Sequence, residues 1–416
     1  MANVPEIRFK GFEDEWEQRK LGDTIKESYN GQTPSRMRPE YWNGDIDWLA
    51  SGDLNRSIIT RTSEKITKEG LESANLRIVP KGTFIMAITG LEAAGTRGNC
   101  GILGLDAAVN QSCMAIFPQR EVLDTNFLFQ WYRRYGEEYG IAYTQGTKQQ
   151  SYNAELIKVL PIMVPSVIEQ KKVAGILWQI DTLIALHQRK CDETKELKKY
   201  MLQKMFPKEG EKVPEIRFAG FEGDWEEKKL GDILEITTRT NSDNQYSKED
   251  VLSVSDEFGL INQIEFQGRS FAAEDVSGYK KVEPGDVIYT RSPLALKPYG
   301  IIKKSFSERG IISPLYIVNT VRDDNDSTFI YYNFDSPEKT SNYLRPLVRI
   351  GAKHTMNISN EEWLSGNITV PSGIEQQQIG SFFKSLDTTI TYHQRKCDEA
   401  KELKKFMLQN MFPKKG

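Results

Sequence analysis

Apolar and small residues recur along two stretches of this chain at steps of mostly four and three. From Val173 they fall at Leu177, Ile180, Ile184, His187, Cys191, Thr194, Leu197, Met201 and Met205. From Ile379 they fall at Phe383, Leu386, Ile390, His393, Cys397, Ala400, Leu403, Met407 and Met411. Lys, Glu, Gln and Arg fill the other positions. This spacing is a heptad-like seam, one stripe of a helix that must pack on a partner. Pro165 and Pro207 bracket the first stretch, Pro371 and Pro413 the second, and a proline cannot continue a helix. The pattern predicts a helix over 169–205, roughly 55 Å long at 1.5 Å per residue. The nearest cover for each stripe is the other copy, so the two are expected to form an intramolecular coiled coil. An antiparallel arrangement would relate them by a pseudo-two-fold axis.

The stripes belong to a longer repeat. HQRKCDETKELKKYMLQKMFP at His187 and HQRKCDEAKELKKFMLQNMFP at His393 differ only at Thr194/Ala400, Tyr200/Phe406 and Lys204/Asn410. A second repeat precedes each variable region: VPEIRFKGFEDEWEQRKLGD from Val4 and VPEIRFAGFEGDWEEKKLGD from Val213. The PKEGEK join at 207–212 reads as an exposed linker. The aromatic residues Phe9, Phe12, Trp16 and Phe218, Phe221, Trp225 are expected to pack these segments against their domains.

Between the repeats the sequence is unlike, but a frame recurs in order. Val79-Pro80-Lys81-Gly82 leads into FIMAI, and Glu283-Pro284-Gly285-Asp286 into VIY; Gly146-Thr147-Lys148 answers Gly351-Ala352-Lys353. Shared glycines and prolines hold backbone geometry, which predicts one fold carrying two surfaces. Asn43-Gly44 reads as a two-residue hairpin turn.

Composition changes this picture little. The chain has 416 residues, 27% charged, with a net charge of −3, which argues against a strongly basic nucleic-acid binder. No apolar run approaches a membrane span and the N-terminus is no signal peptide, so a cytoplasmic protein is expected. The four cysteines form no CxxC. No phosphate loop, zinc motif or nucleophile elbow is present. His187, His393, Cys191 and Cys397 are expected to pack in the seam, and the chain to do no covalent chemistry alone.

Local charge marks two candidate surfaces. In the second variable region Arg291, Lys297, Lys303, Lys304 and Arg309 are interrupted only by Glu308, and LRPLVRIGAKHTMN, from Leu344, holds no acid. In the first, TQGTKQQSYN, from Thr144, is rich in amides and hydroxyls. Such groups bond base edges and phosphates. The candidate DNA-binding residues are Lys148, Gln149, Gln150 and Tyr152, then Arg291, Arg349, Lys353, His354 and Thr355. Tyr29, Trp42 and Trp48 are expected to build a core or hairpin face.

The duplicated order of WExxKLGD openings, variable regions and PS-x-IEQ helix starts closing in KxxMLQxMFP resembles the specificity subunit of type I restriction–modification systems, over essentially the whole chain. The resemblance implies an α+β fold with two similar mixed target recognition domains and two long antiparallel helices. The implied segments are 1–165 and 208–371 for the domains with their N-repeats, and 166–207 and 372–416 for the helices. It implies that each domain reads half of an asymmetric bipartite site in double-stranded DNA through the major groove, with the helices fixing the spacer. It also implies partners: two adenine-N6 methyltransferase subunits and translocase–nuclease subunits, which would use S-adenosylmethionine, ATP and magnesium, while this chain holds no cofactor or metal. The competing reading is a coiled-coil scaffold whose variable domains bind proteins. Replacing Leu386 and Ile390 by Asp is expected to abolish assembly, since each buried charge would lack a partner; normal complex formation by that variant in size-exclusion chromatography would contradict the seam.

Overall fold

A computed structural model describes residues 3–91, 95–144, 151–291, 297–350 and 356–414. The chain forms two units, Met1–His187 with Arg395–Gly416, and Gln188–Gln394. Two helices, Val167–Lys204 and Gly373–Asn410, each contribute to both. Each unit therefore joins a variable region to part of both helices.

The first unit is built on a sheet ordered Ile25–Asn30, Cys113–Pro118, Phe84–Ala87, Cys100–Leu103 and Ile58–Ile59. The second is built on a sheet ordered Leu234–Ile236, Ile317–Val321, Val287–Tyr289 and Ile302–Lys304. Four strands of each follow the same order, the first in sequence beside the last and then two between, all antiparallel; the first sheet adds Ile58–Ile59 at its edge, parallel to Cys100–Leu103. The FIMA and VIY strands are wholly buried in it. A two-stranded ribbon also recurs, Glu17–Lys20 with Pro161–Val164 and Glu226–Lys229 with Asn367–Val370. Around this common frame the units differ. The first adds a sheet of Glu64–Ile66, Trp42–Leu49 and Ala108–Val109; the second adds a hairpin of Leu252–Ser255 and Gly259–Asn262.

Asn43-Gly44 makes no hairpin turn. Both residues lie inside the strand Trp42–Leu49, where the pairing with Glu64–Ile66 shifts register between Trp42 and Ile46. Asn43 takes φ 61°, and a Cβ on Gly44 would sit 2.5 Å from the Ile66 carbonyl oxygen. The pair accommodates a bulge and a close backbone approach, a second use of the same residue types.

The helix starts explain the IEQ repeat. Glu169 is buried and accepts from Arg8 Nε at 2.7 Å and Nη2 at 2.9 Å, with the Trp16 indole nitrogen at 3.3 Å. Glu375 accepts from Arg217 Nε and Nη2, both at 2.8 Å. Trp225 is as buried as Trp16, but its indole nitrogen has no partner. The next residue does a second job. Gln170 accepts from the Asp124 backbone N–H at 2.8 Å and donates to the Val122 and Pro165 carbonyls. Gln376 accepts from the Asp326 N–H at 3.0 Å and donates to Pro371 and Asn325. Asp124 and Asp326 in turn cap helices Thr125–Ala142 and Ser327–Asn333, the preferred role of Asp at that position. The N-repeat, the helix start and the capped domain helix thus meet at two adjacent side chains. The aromatic residues close the joint: Trp16 meets Phe127 and Phe412 at 5.7 and 6.0 Å, and Trp225 meets Phe329 and Phe206 at 5.7 and 6.3 Å.

Within each unit the two helices run antiparallel. In the first, the Cys397 thiol lies 3.8 Å from the Ile184 carbonyl and Lys404 pairs with Asp181. In the second, the Cys191 thiol lies 3.9 Å from the Ile390 carbonyl and Lys198 pairs with Asp387 at 2.8 Å. These are repeat-equivalent contacts, the same pairing made once in each unit. Leu177, Ile180 and Phe383 are buried, and Ile184, Leu386 and Ile390 are partly buried. Leu197 and Leu403 are off the seam and about half exposed. After Cys191 and Thr194, strict alternation lands on Lys198, Met201 and Met205, so Leu197 breaks the period and a lysine takes its place. The equivalent step in the second helix selects Lys404.

The two seam lysines differ in surroundings. Lys198 also reaches Asp335 at 3.1 Å, and Tyr332 donates to Asp387 at 2.6 Å. Burial works to lower its pKa, but Asp335 and Asp387 outweigh it and the pKa is raised. Lys404 shares Asp181 with Arg133, which approaches at 2.7 Å, and burial beside that second cation pushes its pKa down to about 8.

Arg8→Ala and Arg217→Ala should each strand a buried glutamate and cost about 3–5 kcal/mol, read by urea denaturation; losses near zero would contradict the clamp. Lys198→Met should cost about 2–4 kcal/mol by leaving Asp335 and Asp387 uncompensated, whereas Lys404→Met leaves Asp181 paired and should cost under about 1 kcal/mol. Equal losses would refute the assignment. Folded Lys404 releases its proton from about pH 8, against 10.5 for the free side chain. The unfolded chain then binds more protons across that window, so wild-type stability should rise relative to K404M as pH increases through it.

Candidate nucleic-acid interface

The basic run of the second variable region is largely neutralised inside the fold. Lys297 and Lys303 are buried, and both pair with Asp256, at 2.7 and 3.2 Å. Arg309 pairs with Glu283. Lys304 donates to the Thr328 hydroxyl at 2.6 Å and has no carboxylate within 4.0 Å among the described residues. Burial lowers the pKa of both Lys303 and Lys304. Arg291 likewise lacks a carboxylate among the described residues.

Two of the candidate arginines converge on one short helix, Asn360–Ser365. Arg291 donates through Nη2 to Asn360 Oδ1 at 2.8 Å, and Arg349, on the strand Arg349–Ile350, reaches Glu362 at 2.5 Å. Ser359 starts the helix with a reciprocal capping box: its N–H donates to Glu362 at 2.8 Å and its hydroxyl accepts from the Glu362 N–H at 3.1 Å. The bond from the Ser359 backbone, with Arg349 adding to it, holds the Glu362 carboxyl below its usual range. Trp363 anchors the helix, stacked on Tyr289 at 4.7 Å and donating to Asn319 at 3.0 Å. Lys353, His354 and Thr355 lie outside the described residues. Asn360 and Trp363 were missed from the sequence, where nothing distinguishes them from any polar or core residue.

In the first unit Lys148, Gln149 and Gln150 lie outside the described residues. Tyr152 does not offer its side chain to a ligand: it is buried, its N–H donates to the Ile88 carbonyl at 2.8 Å, and its hydroxyl is enclosed without a partner. The adjacent Asn153 caps helix Ala154–Lys158, and that turn follows directly on the buried position. Burial raises the Tyr152 pKa. Two exposed cations here stack on aromatic rings and carry carboxylate partners. Arg36 lies 3.7 Å from the Trp42 ring and pairs with Glu64; Arg77 lies 4.1 Å from the Tyr29 ring and pairs with Glu27 at 2.6 Å. Trp42 and Trp48 meet edge-on at 5.1 Å. Cys100 is buried, which pushes its thiol up to about 12. Among the described residues no group of three or more His, Cys, Asp or Glu is placed to hold a metal, and no helix is long and apolar enough to cross a membrane.

The doubled frame has a counterpart in known proteins. The model of the type I restriction modification DNA specificity domain matches twice, over residues 13–196 and 222–402. The chain belongs to that family. The family's description is that of a DNA specificity domain. It is 29% identical over 246 residues to the type I restriction enzyme MjaIX specificity subunit of Methanocaldococcus jannaschii, covering 55% of this chain and 54% of that one. It is 25% identical to the EcoR124I/EcoR124II specificity subunit of Escherichia coli, over 42% of this chain and 43% of the other. The chain thus spans about half the length of these curated relatives. A putative MjaX specificity subunit matches at 21% identity over 94% of this chain and 91% of its own. The crystal structure of a type I restriction–modification S subunit from M. genitalium superposes with a TM-score of 0.63 at 13% identity, covering 99% of this chain and all of the other. That likeness fixes the fold of the specificity chain.

Proposed function

We propose that this chain is the DNA sequence-recognition subunit of a type I restriction–modification complex. Each unit reads one half of an asymmetric bipartite site through the major groove, the paired helices set the spacer, and methyltransferase and translocase–nuclease subunits dock on the chain. The partners, not this chain, bring S-adenosylmethionine, ATP and magnesium. The observation that carries the reading is one sheet frame and one clamp built twice, bearing unlike peripheral structure. A protein that must read two different sequences in equivalent settings needs that combination. The internal neutralisation of the basic run favours weak DNA binding by the chain alone, with partners supplying much of the phosphate attraction.

A second apolar face on the helices supports two like partners. Matched positions of the two copies expose large apolar side chains by nearly equal fractions: Ile168 and Ile374 by 68% and 69%, Leu197 and Leu403 by 46% and 49%, Tyr200 and Phe406 by 50% and 52%. Leu197 and Tyr200 stand three residues apart, hence on one helix face. Each unit carries the set once. Exposed apolar groups repeated in this way point to protein contact, and two equivalent sets point to two copies of one subunit.

With a cognate methyltransferase, the wild-type chain should bind two copies in native mass spectrometry. Leu197→Asp with Tyr200→Ser should leave one, as should Leu403→Asp with Phe406→Ser, and the fourfold variant none, each truncation weakening its contact about tenfold or more. Full occupancy of the fourfold variant would refute the docking face. Sequencing methylated adenines in cells carrying the assembled system tests the DNA reading: a bipartite consensus supports it, and no consensus supports a protein-binding scaffold instead.

A further inference from the structure

The guanidinium of Arg291 is held in a way that a solvated surface charge is not. Its backbone takes φ 57°, a left-handed conformation uncommon for a long side chain. Gly300 packs closely against this position: a Cβ there would lie 2.8 Å from the Tyr289 ring and 3.2 Å from the Arg291 nitrogen, and Gly300 itself sits at φ 103°. The side chain is half-buried. Its Nε is enclosed without a hydrogen-bond acceptor, and Nη2 is tied to the neutral Asn360 amide. Asn360 is fixed in turn, because Trp363 of the same helix stacks on Tyr289, two residues before Arg291. Lys280 adds charge nearby: it is partly buried, donates to the Tyr316 carbonyl and feels the Arg291 charge.

Stability does not account for this arrangement. A partly desolvated cation with no carboxylate partner among the described residues and one unmade bond destabilises the free protein, as does the left-handed backbone. Strain retained in this way is characteristic of binding sites. A phosphate contact needs only charge and reach, which an exposed lysine supplies. A fixed planar fork whose Nη1 and second Nη2 hydrogen meet no acceptor among the described residues suits a bidentate pair of acceptors in one plane, and on duplex DNA that pair is guanine O6 and N7.

We infer that Arg291 reads a guanine in the half-site of the second unit, with Asn360 as its positioning residue. The inference rests on the DNA-recognition reading above and adds the base class and the device that aims the side chain.

The test uses the full chain assembled with its methyltransferase partner, scored by the sequences methylated in a randomised duplex library. Arg291→Lys keeps the charge and loses the fork. It should cut the guanine preference at one position of one half-site by about tenfold or more, with the other half-site unchanged, which also reports that the variant has folded. Asn360→Ala should relax the same position more weakly. Two results would overturn the inference: an unchanged consensus in R291K, or a uniform loss across all sequences in R291A with the salt slope of binding reduced by about one, the mark of a phosphate contact. A wild-type complex with no consensus at all would sink the parent reading along with it, and is distinguishable because both half-sites vanish together.

Discussion

Each unit depends on a buried carboxylate at the start of a long helix. Glu169 and Glu375 would be costly alone, since an ionised carboxyl out of water needs close compensation. Arg8 and Arg217 provide it from the far side of a variable region more than a hundred residues long. The adjacent Gln170 and Gln376 secure the first turn of the domain helix from the same place. Whatever sequence lies between, the chain must return to this joint. That constraint permits the variable regions to diverge while the frame stays the same, and it explains why the repeats enclose them rather than follow them.

The long helices carry two kinds of surface. One is the seam, where thiols face carbonyls and lysines face aspartates. The other is the set of matched exposed residues, which the chain leaves uncovered in both copies. A seam that includes Lys198 and Lys404 is less apolar than a leucine one, but it fixes alignment: a one-step slip would separate each lysine from its aspartate. Charge pairs inside a helix contact serve register more than raw stability.

Charge in the variable regions follows a similar economy. A run of Arg and Lys in the sequence suggested an open positive patch, and the fold uses most of it internally. Arg291 keeps no carboxylate partner among the described residues and lies beside the short helix Asn360–Ser365. The near-neutral composition is compatible with the proposed DNA reading because few side chains would need to stay free.

The sequence by itself determined the duplicated organisation, the two long helices, the shared frame and the family, because periodicity, proline brackets and near-identical repeats are local and survive without coordinates. It misjudged features that depend on a distant partner. Leu197 looked like a seam residue until helix phase favoured Lys198; Asn43-Gly44 looked like a turn until Glu64–Ile66 paired across it; Tyr152 looked like a reader until its backbone bonded Ile88. Only the tertiary structure decided which cations are neutralised, since Asp256 lies more than forty residues from Lys297 and Lys303 in sequence. It alone brought Arg291 to Asn360. Local pattern sets which elements form, but exposure and charge compensation are properties of pairs, and the pairs here are made by chain segments that sequence keeps far apart.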